Sequence, residues 1–172
     1  MSTPTQSSQT LEATRRAALT RLAVALLTLV SLGVHLWGIR KELPYIPHID
    51  EPSLVRPAVE MAATGDMNPG WFGHPGSTVI YPLVPIYRAW HAVARQGVLL
   101  RPDPAIAADF RANPAPYYYI GRTLAILYAA ACVPLIFLIG KRALSPAAGL
   151  IGAWLSILFP LTVSQGQLVR TD

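Results

Sequence analysis

Residues 22–39 read LAVALLTLVSLGVHLWGI, an apolar run with one ionisable side chain, His35, and Arg15, Arg16 and Arg21 stand just before it. Wound as a helix at about 1.5 Å per residue, the run just covers the ~30 Å hydrocarbon core of a bilayer. Arg21 can reach the headgroups along its own methylene stem, and Trp37 suits the opposite interface. A cleaved signal peptide shares the basic start, but it has a shorter core and a small-residue cleavage site after it. No such site follows here, so the run reads as an uncleaved anchor over residues 19–39. The polar stretch before it, residues 1–18, is rich in Ser, Thr and Gln near its start and reads as a disordered cytoplasmic tail.

Composition agrees with a membrane setting. Of the 172 residues, 52% are hydrophobic and 13% charged, with mean hydropathy +0.38; a soluble domain carries about 25% charged residues. The net charge of +5 comes from basic residues scattered at the flanks of apolar segments, without a stripe or a nucleic-acid motif. Topology control and attraction to anionic lipid explain them, and a nucleic-acid partner is not expected. The single cysteine, Cys132, excludes an internal disulfide and reads as a small buried hydrophobe.

Further spans lie at 117–140, opened by Tyr117-Tyr118-Tyr119 as an interfacial belt, and at 146–166. Lys141 and Arg142, in the short turn between them, belong in the cytoplasm by the positive-inside rule. That places Tyr117 outside, together with the loop at 40–116. Residues 77–100 are apolar but carry Pro82, Pro85, Arg88, His91 and Arg95. Parity returns them to the side they left, so they read as a juxtamembrane or re-entrant helix in preference to a full crossing, which stays open beside it. The expected fold is therefore an all-α integral membrane protein with about three transmembrane helices. Amphipathic juxtamembrane helices occupy the first extracytoplasmic loop, and residues 165–172 return to the face that bears Asp50 and Glu51.

That loop holds the chemistry. Pro47-His48-Ile49-Asp50-Glu51-Pro52 opens a helix in which Leu54, Val55, Ala58, Val59 and Ala62 share one face, with Gly65 as its stop. Asp50 reads as N-cap or as a catalytic carboxylate. Residues 65–76 form a loop in which Asp66 and Asn68 shape a turn. His35 and His91 read as packing or interfacial residues.

Asp50-Glu51, Gly65-Asp66-x-Asn68-Pro69 and His74-Pro75 resemble the first extracytoplasmic loop of the GT-C membrane glycosyltransferases. Among these, the likeness is to the bacterial protein O-mannosyltransferase-like enzymes and their aminoarabinose-transferase relatives. Gly121-Arg122-Thr123-Leu124, Gly140-Lys141-Arg142-Ala143-Leu144 and Gln167-Leu168-Val169-Arg170-Thr171-Asp172 resemble the family as well, so the likeness covers residues 20–172. It implies that residues 19–172 are the N-terminal part of a longer domain with many more spans. The implied reaction moves a sugar, with inversion, from a polyprenyl-phosphate donor to a protein, lipid or glycan acceptor. It would take place at the outer face of a bacterial inner membrane, with the N-terminus cytoplasmic.

The resemblance also implies roles. An attacking alcohol must lose its proton as the bond forms, so Asp50 is expected as base or acceptor-orienting group, with Glu51 assisting it. His74 and Arg122 are expected at the lipid phosphate, whose departing charge needs stabilising. Asp172 is expected to hold a divalent ion, Mg²⁺ or Mn²⁺. Solvation of a chain end for Asp172, snorkelling for Arg122 and a structural role for His74 stay open beside these readings, and His48 by its spacing alone makes no metal site. A non-catalytic membrane module that binds polyprenyl phosphate or docks on a full-length paralogue is the alternative function. A transporter fragment is disfavoured because no internal repeat is seen.

Overall fold

The apolar run at residues 22–39 lies within a helix that begins well before it. In a computed structural model that describes residues 6–40, 43, 50–70, 76–95, 99–159 and 166–169, α1 runs Gln6–Trp37. The tail expected to be disordered is thus helical from Gln6 onward. Propagating an existing helix costs far less than nucleating one, so the apolar segment extends its winding into the polar residues. Glu12 and Arg16 add an i,i+4 pair at 3.6 Å, and the Thr14 and Thr20 hydroxyls bond back to carbonyls one turn earlier.

Five further helices follow among the described residues, with no strand: α2 (Asp50–Thr64), α3 (Ser77–Arg95), α4 (Ala105–Ala112), α5 (Ala115–Ala143) and α6 (Pro146–Leu158). Helices α1 and α5 are long and apolar enough to cross a membrane. Helix α6 has 13 residues, about 20 Å of axis, which is short of a full crossing. Residues 160–165 of the third expected span lie outside the described residues. Helix α3 has 19 residues but not the hydropathy of a span, and one of its faces is buried against protein through Val79, Leu83, Val84 and Tyr87.

Helices α2, α3 and α4 pack together at one end of α5. Every apolar residue assigned from sequence to the inner face of α2, from Leu54 to Ala62, is buried, while Arg56 and Glu60 are exposed. Gly65 ends that helix at φ +85°, a conformation glycine adopts without Cβ strain. The last carbonyls of α2 are satisfied from α3: Arg88 donates to Met61 O at 2.9 Å and to Ala62 O at 3.1 Å. Cationic donors are favoured there because carbonyls leave a partial negative charge at a helix C-terminus. Pro82 lacks the N–H that would bond Thr78 O, and the Tyr128 hydroxyl of α5 fills that gap at 2.9 Å.

The tyrosine belt divides. Tyr117 and Tyr118 are fully buried against the loop helices, with Phe110 against both rings, and only Tyr119 stays outside, its ring under Arg40. Helix α4 and its neighbours cover the inner two, so these rings pack on protein and do not form an exposed belt. Cys132 is exposed on α5, contrary to the buried reading; α5 is long and apolar enough to cross a membrane, where lipid would supply the cover that protein does not.

At the opposite end, α5 and α6 form a tight hairpin. Ser145 caps α6 by accepting from Ala148 N, and Pro146 follows at the first turn. Gly140 and Gly149 let the backbones touch: a Cβ on Gly149 would lie 2.5 Å from Phe137 O, and one on Gly140 2.7 Å from the Gly149 Cα. Since both obstacles are backbone, Gly149→Val is expected to destabilise the hairpin by about 1–3 kcal/mol. Urea unfolding in detergent reads this directly, and an unchanged midpoint would refute the close approach.

Candidate functional site

Glu51 and Arg122 meet where four segments converge. Glu51 occupies the first turn of α2 and is fully buried; Arg122, near the start of α5, is 1% exposed. The contact is bidentate, with Arg122 Nε to Glu51 Oε1 at 2.9 Å and Nη2 to Oε2 at 2.7 Å. Arg122 Nη1 donates to Ile39 O at 3.1 Å, just past α1. The Val169 amide donates to Glu51 Oε1 at 2.9 Å, which brings in the segment after α6. Gly121 permits this last approach, because a Cβ there would lie 2.9 Å from a Val169 methyl.

A buried ion pair loses its hydration, and only close geometry with further hydrogen bonds offsets that loss. Here the fork-to-fork arrangement, a backbone donor and a backbone acceptor meet the condition. The pair therefore works as a clamp on α1, α2, α5 and the 166–169 segment. The resemblance placed Arg122 on a lipid phosphate. In the structure its guanidinium is turned inward on Glu51, and a phosphate would have to displace that carboxylate. Glu51, expected to assist in catalysis, likewise has both oxygens engaged.

Asp50 begins α2, beside the clamp, and is half-buried. Its carbonyl accepts the Ser53 hydroxyl at 2.7 Å, which tightens the first turn. A carboxylate in a first turn sits in the favourable field of the helix N-terminus. Because Glu51 is immobilised, the neighbouring Asp50 backbone is immobilised with it. Tyr118 is fully buried and its hydroxyl has no hydrogen-bond partner of good geometry among the described residues, although the charges of Arg56 and Glu51 act on it. Tyr87 donates to Tyr117 O at 3.0 Å. Burial first, then Tyr118, Tyr117 and Glu51, pushes the Tyr87 phenol well above its ordinary range, so it stays a neutral donor.

No protein-family model, curated protein or solved structure matches the chain. The assignment of chemistry therefore rests on the residues and their geometry.

His74, Asp172 and His48 lie outside the described residues. Among the described residues there is no group of three or more metal-ligating side chains. Asp66 shapes its turn as expected: its carboxylate accepts Asn68 N at 3.0 Å, and Asn68 Oδ1 accepts Gly70 N at 2.9 Å. His35 is buried with Nδ1 2.7 Å from Ser31 O. His91, also buried, has Nδ1 3.5 Å from Asp103.

Sequence reasoning missed a second polar cluster, around His91. Arg95 binds Asp109 at 2.6 Å, and Tyr117 reaches the other Asp109 oxygen at 3.2 Å. His91, Arg95, Asp103 and Asp109 line an open pocket of about 460 Å³ between α3 and α4. The signal available was weak: Asp103 and Asp109 follow a Pro-rich turn and align with His91 and Arg95 only once α3 and α4 pack together.

Proposed function

We propose that this chain belongs to the membrane domain of a glycosyltransferase that passes a sugar from a polyprenyl phosphate to an acceptor at the extracytoplasmic face. Asp50 is the base or acceptor-orienting carboxylate. The observation that carries this reading is the clamp. A buried bidentate pair pins the first turn of α2 to α5 and leaves the adjacent Asp50 half-buried at the helix start. General bases act only when held within hydrogen-bond reach of the proton they take, and such immobilisation serves that need.

In this reading Glu51 and Arg122 are positioning residues, and His74 and Asp172 contact the phosphate and a Mg²⁺ or Mn²⁺ ion. A third crossing over residues 146–166 belongs to the same proposal. Support comes from Gln167, which donates to Val34 O at 3.3 Å, and from Val169, which reaches Glu51; both lie at the end of the bundle opposite the α5–α6 turn. The membrane is the bacterial inner membrane, with Arg15, Arg16 and Arg21 on the cytoplasmic side. The competing reading, a non-catalytic module docked on a larger membrane partner, draws on the apolar faces of α1 and α6 that stay uncovered at Leu26, Val30, Ile151 and Trp154.

Membranes carrying the protein, given polyprenyl phosphate bearing radiolabelled mannose or aminoarabinose, are expected to move label into a protein, lipid or glycan fraction. Membranes lacking it should not. No transfer from either donor overturns the enzymatic reading in favour of the module.

A further inference from the structure

We propose that the groove between α1 and α5 is a seat for one anionic phospholipid, in the leaflet next to the α5–α6 turn. The proposal depends on α1 and α5 spanning a membrane and not on the glycosyltransferase reading.

The groove has a volume of about 560 Å³ and is walled by Val24, Ala25 and Leu29 of α1 and by Pro134, Phe137 and Leu138 of α5, with Arg21 at its mouth. Thr28 adds no polar demand, because its hydroxyl already donates to Val24 O at 2.9 Å. The lining is therefore hydrocarbon, closed at one end by a guanidinium. From Arg21 to Leu29 is about 12 Å of helix axis, close to half of a ~30 Å hydrocarbon core. Beyond Leu29 the same stripe of α1 passes into protein, where Ser31 and His35 are buried. A groove one leaflet deep, open at the headgroup level and shut at the midplane, has the dimensions of an acyl chain.

Charge names the headgroup. The Arg122–Ile39 contact fixes α1 and α5 antiparallel at their far ends. Counting back along both helices from it brings Arg21 level with Lys141 and Arg142, which end α5 and are exposed. Arg15 and Arg16 lie one to two turns further out. The described carboxylate of α1 on this side, Glu12, is paired with Arg16 at 3.6 Å and does not offset the remaining cations. A phosphate at the mouth of the groove thus meets Arg21 from one helix and the Lys141-Arg142 pair from the other.

Another transmembrane helix suits the groove less well. It would need contact along the full span, and helix pairs in lipid favour small residues at their seam, whereas Val24, Leu29, Phe137 and Leu138 are bulky. An acyl chain needs only an apolar trough.

Native mass spectrometry of the detergent-solubilised protein, titrated with phosphatidylglycerol and with phosphatidylcholine of the same chains, tests this. The expected result is a single retained phosphatidylglycerol, preferred by about five-fold or more, since one basic residue at a membrane surface contributes about that factor. Arg21→Gln, a change at an exposed side chain, should cut that preference by about five-fold, with Lys141 and Arg142 left to supply the remainder. Ala25→Trp fills the trough without altering charge and should remove the adduct while helicity by circular dichroism is kept. Four results overturn the proposal. They are equal binding of both lipids, phosphatidylglycerol binding unaffected by Ala25→Trp, full competition by glycerol 3-phosphate alone, and a disulfide-linked dimer of Ala25→Cys in a Cys132→Ser background. The last would give the groove to a second copy of the chain.

Discussion

Glu51→Ala is expected to destabilise the protein by about 3–5 kcal/mol, the largest effect of any single substitution considered, because it leaves the Arg122 guanidinium buried without its counter-charge. The loss has three parts that act together. The bidentate bonds at 2.7 and 2.9 Å disappear, the Val169 amide loses its acceptor, and α2 is released from α5. Arg122→Met alone should be similarly damaging, since it strands Glu51 in the same apolar surroundings. The double variant Glu51→Leu/Arg122→Met should recover much of the stability, because replacing a whole buried pair by apolar groups is often neutral. Chemical unfolding in detergent, arranged as a double-mutant cycle, gives the coupling energy. Additive losses, or wild-type stability in Glu51→Ala, would show that the clamp does not hold the helices.

Asp50→Asn is expected to lower sugar transfer by about 10²–10⁴-fold, the range that a positioned general base contributes, with a stability loss well below that of Glu51→Ala. The contrast with Glu51 separates the two roles. Asp50 is half-buried at the helix start and is not a member of the bidentate pair, whereas loss of Glu51 breaks that pair and should reduce activity and stability together. The measurement is initial rate of label transfer beside the unfolding midpoint of the same preparation. Full activity in Asp50→Asn removes it from the mechanism. A loss of about 1 kcal/mol in stability with unchanged transfer returns it to a helix cap.

The sequence by itself determined the local features. The apolar run at 22–39 required a helix long enough to cross a bilayer. Leu54 through Ala62 displayed the buried face of α2, Gly65 its end, and Asp66 and Asn68 the turn beyond it. Each is set within a few residues by helical periodicity, by glycine's freedom at positive φ, or by a side chain bonding its own backbone. Tertiary structure alone decided that Glu51 faces Arg122, 71 residues away, and Val169, 118 residues away. It also decided that Tyr117 and Tyr118 lie under protein and that Cys132 does not. No local pattern carries such pairings. A charged residue beside an apolar segment has the same sequence signature whether it snorkels to headgroups or pairs inside the protein, and only the packing of distant helices around it selects between them.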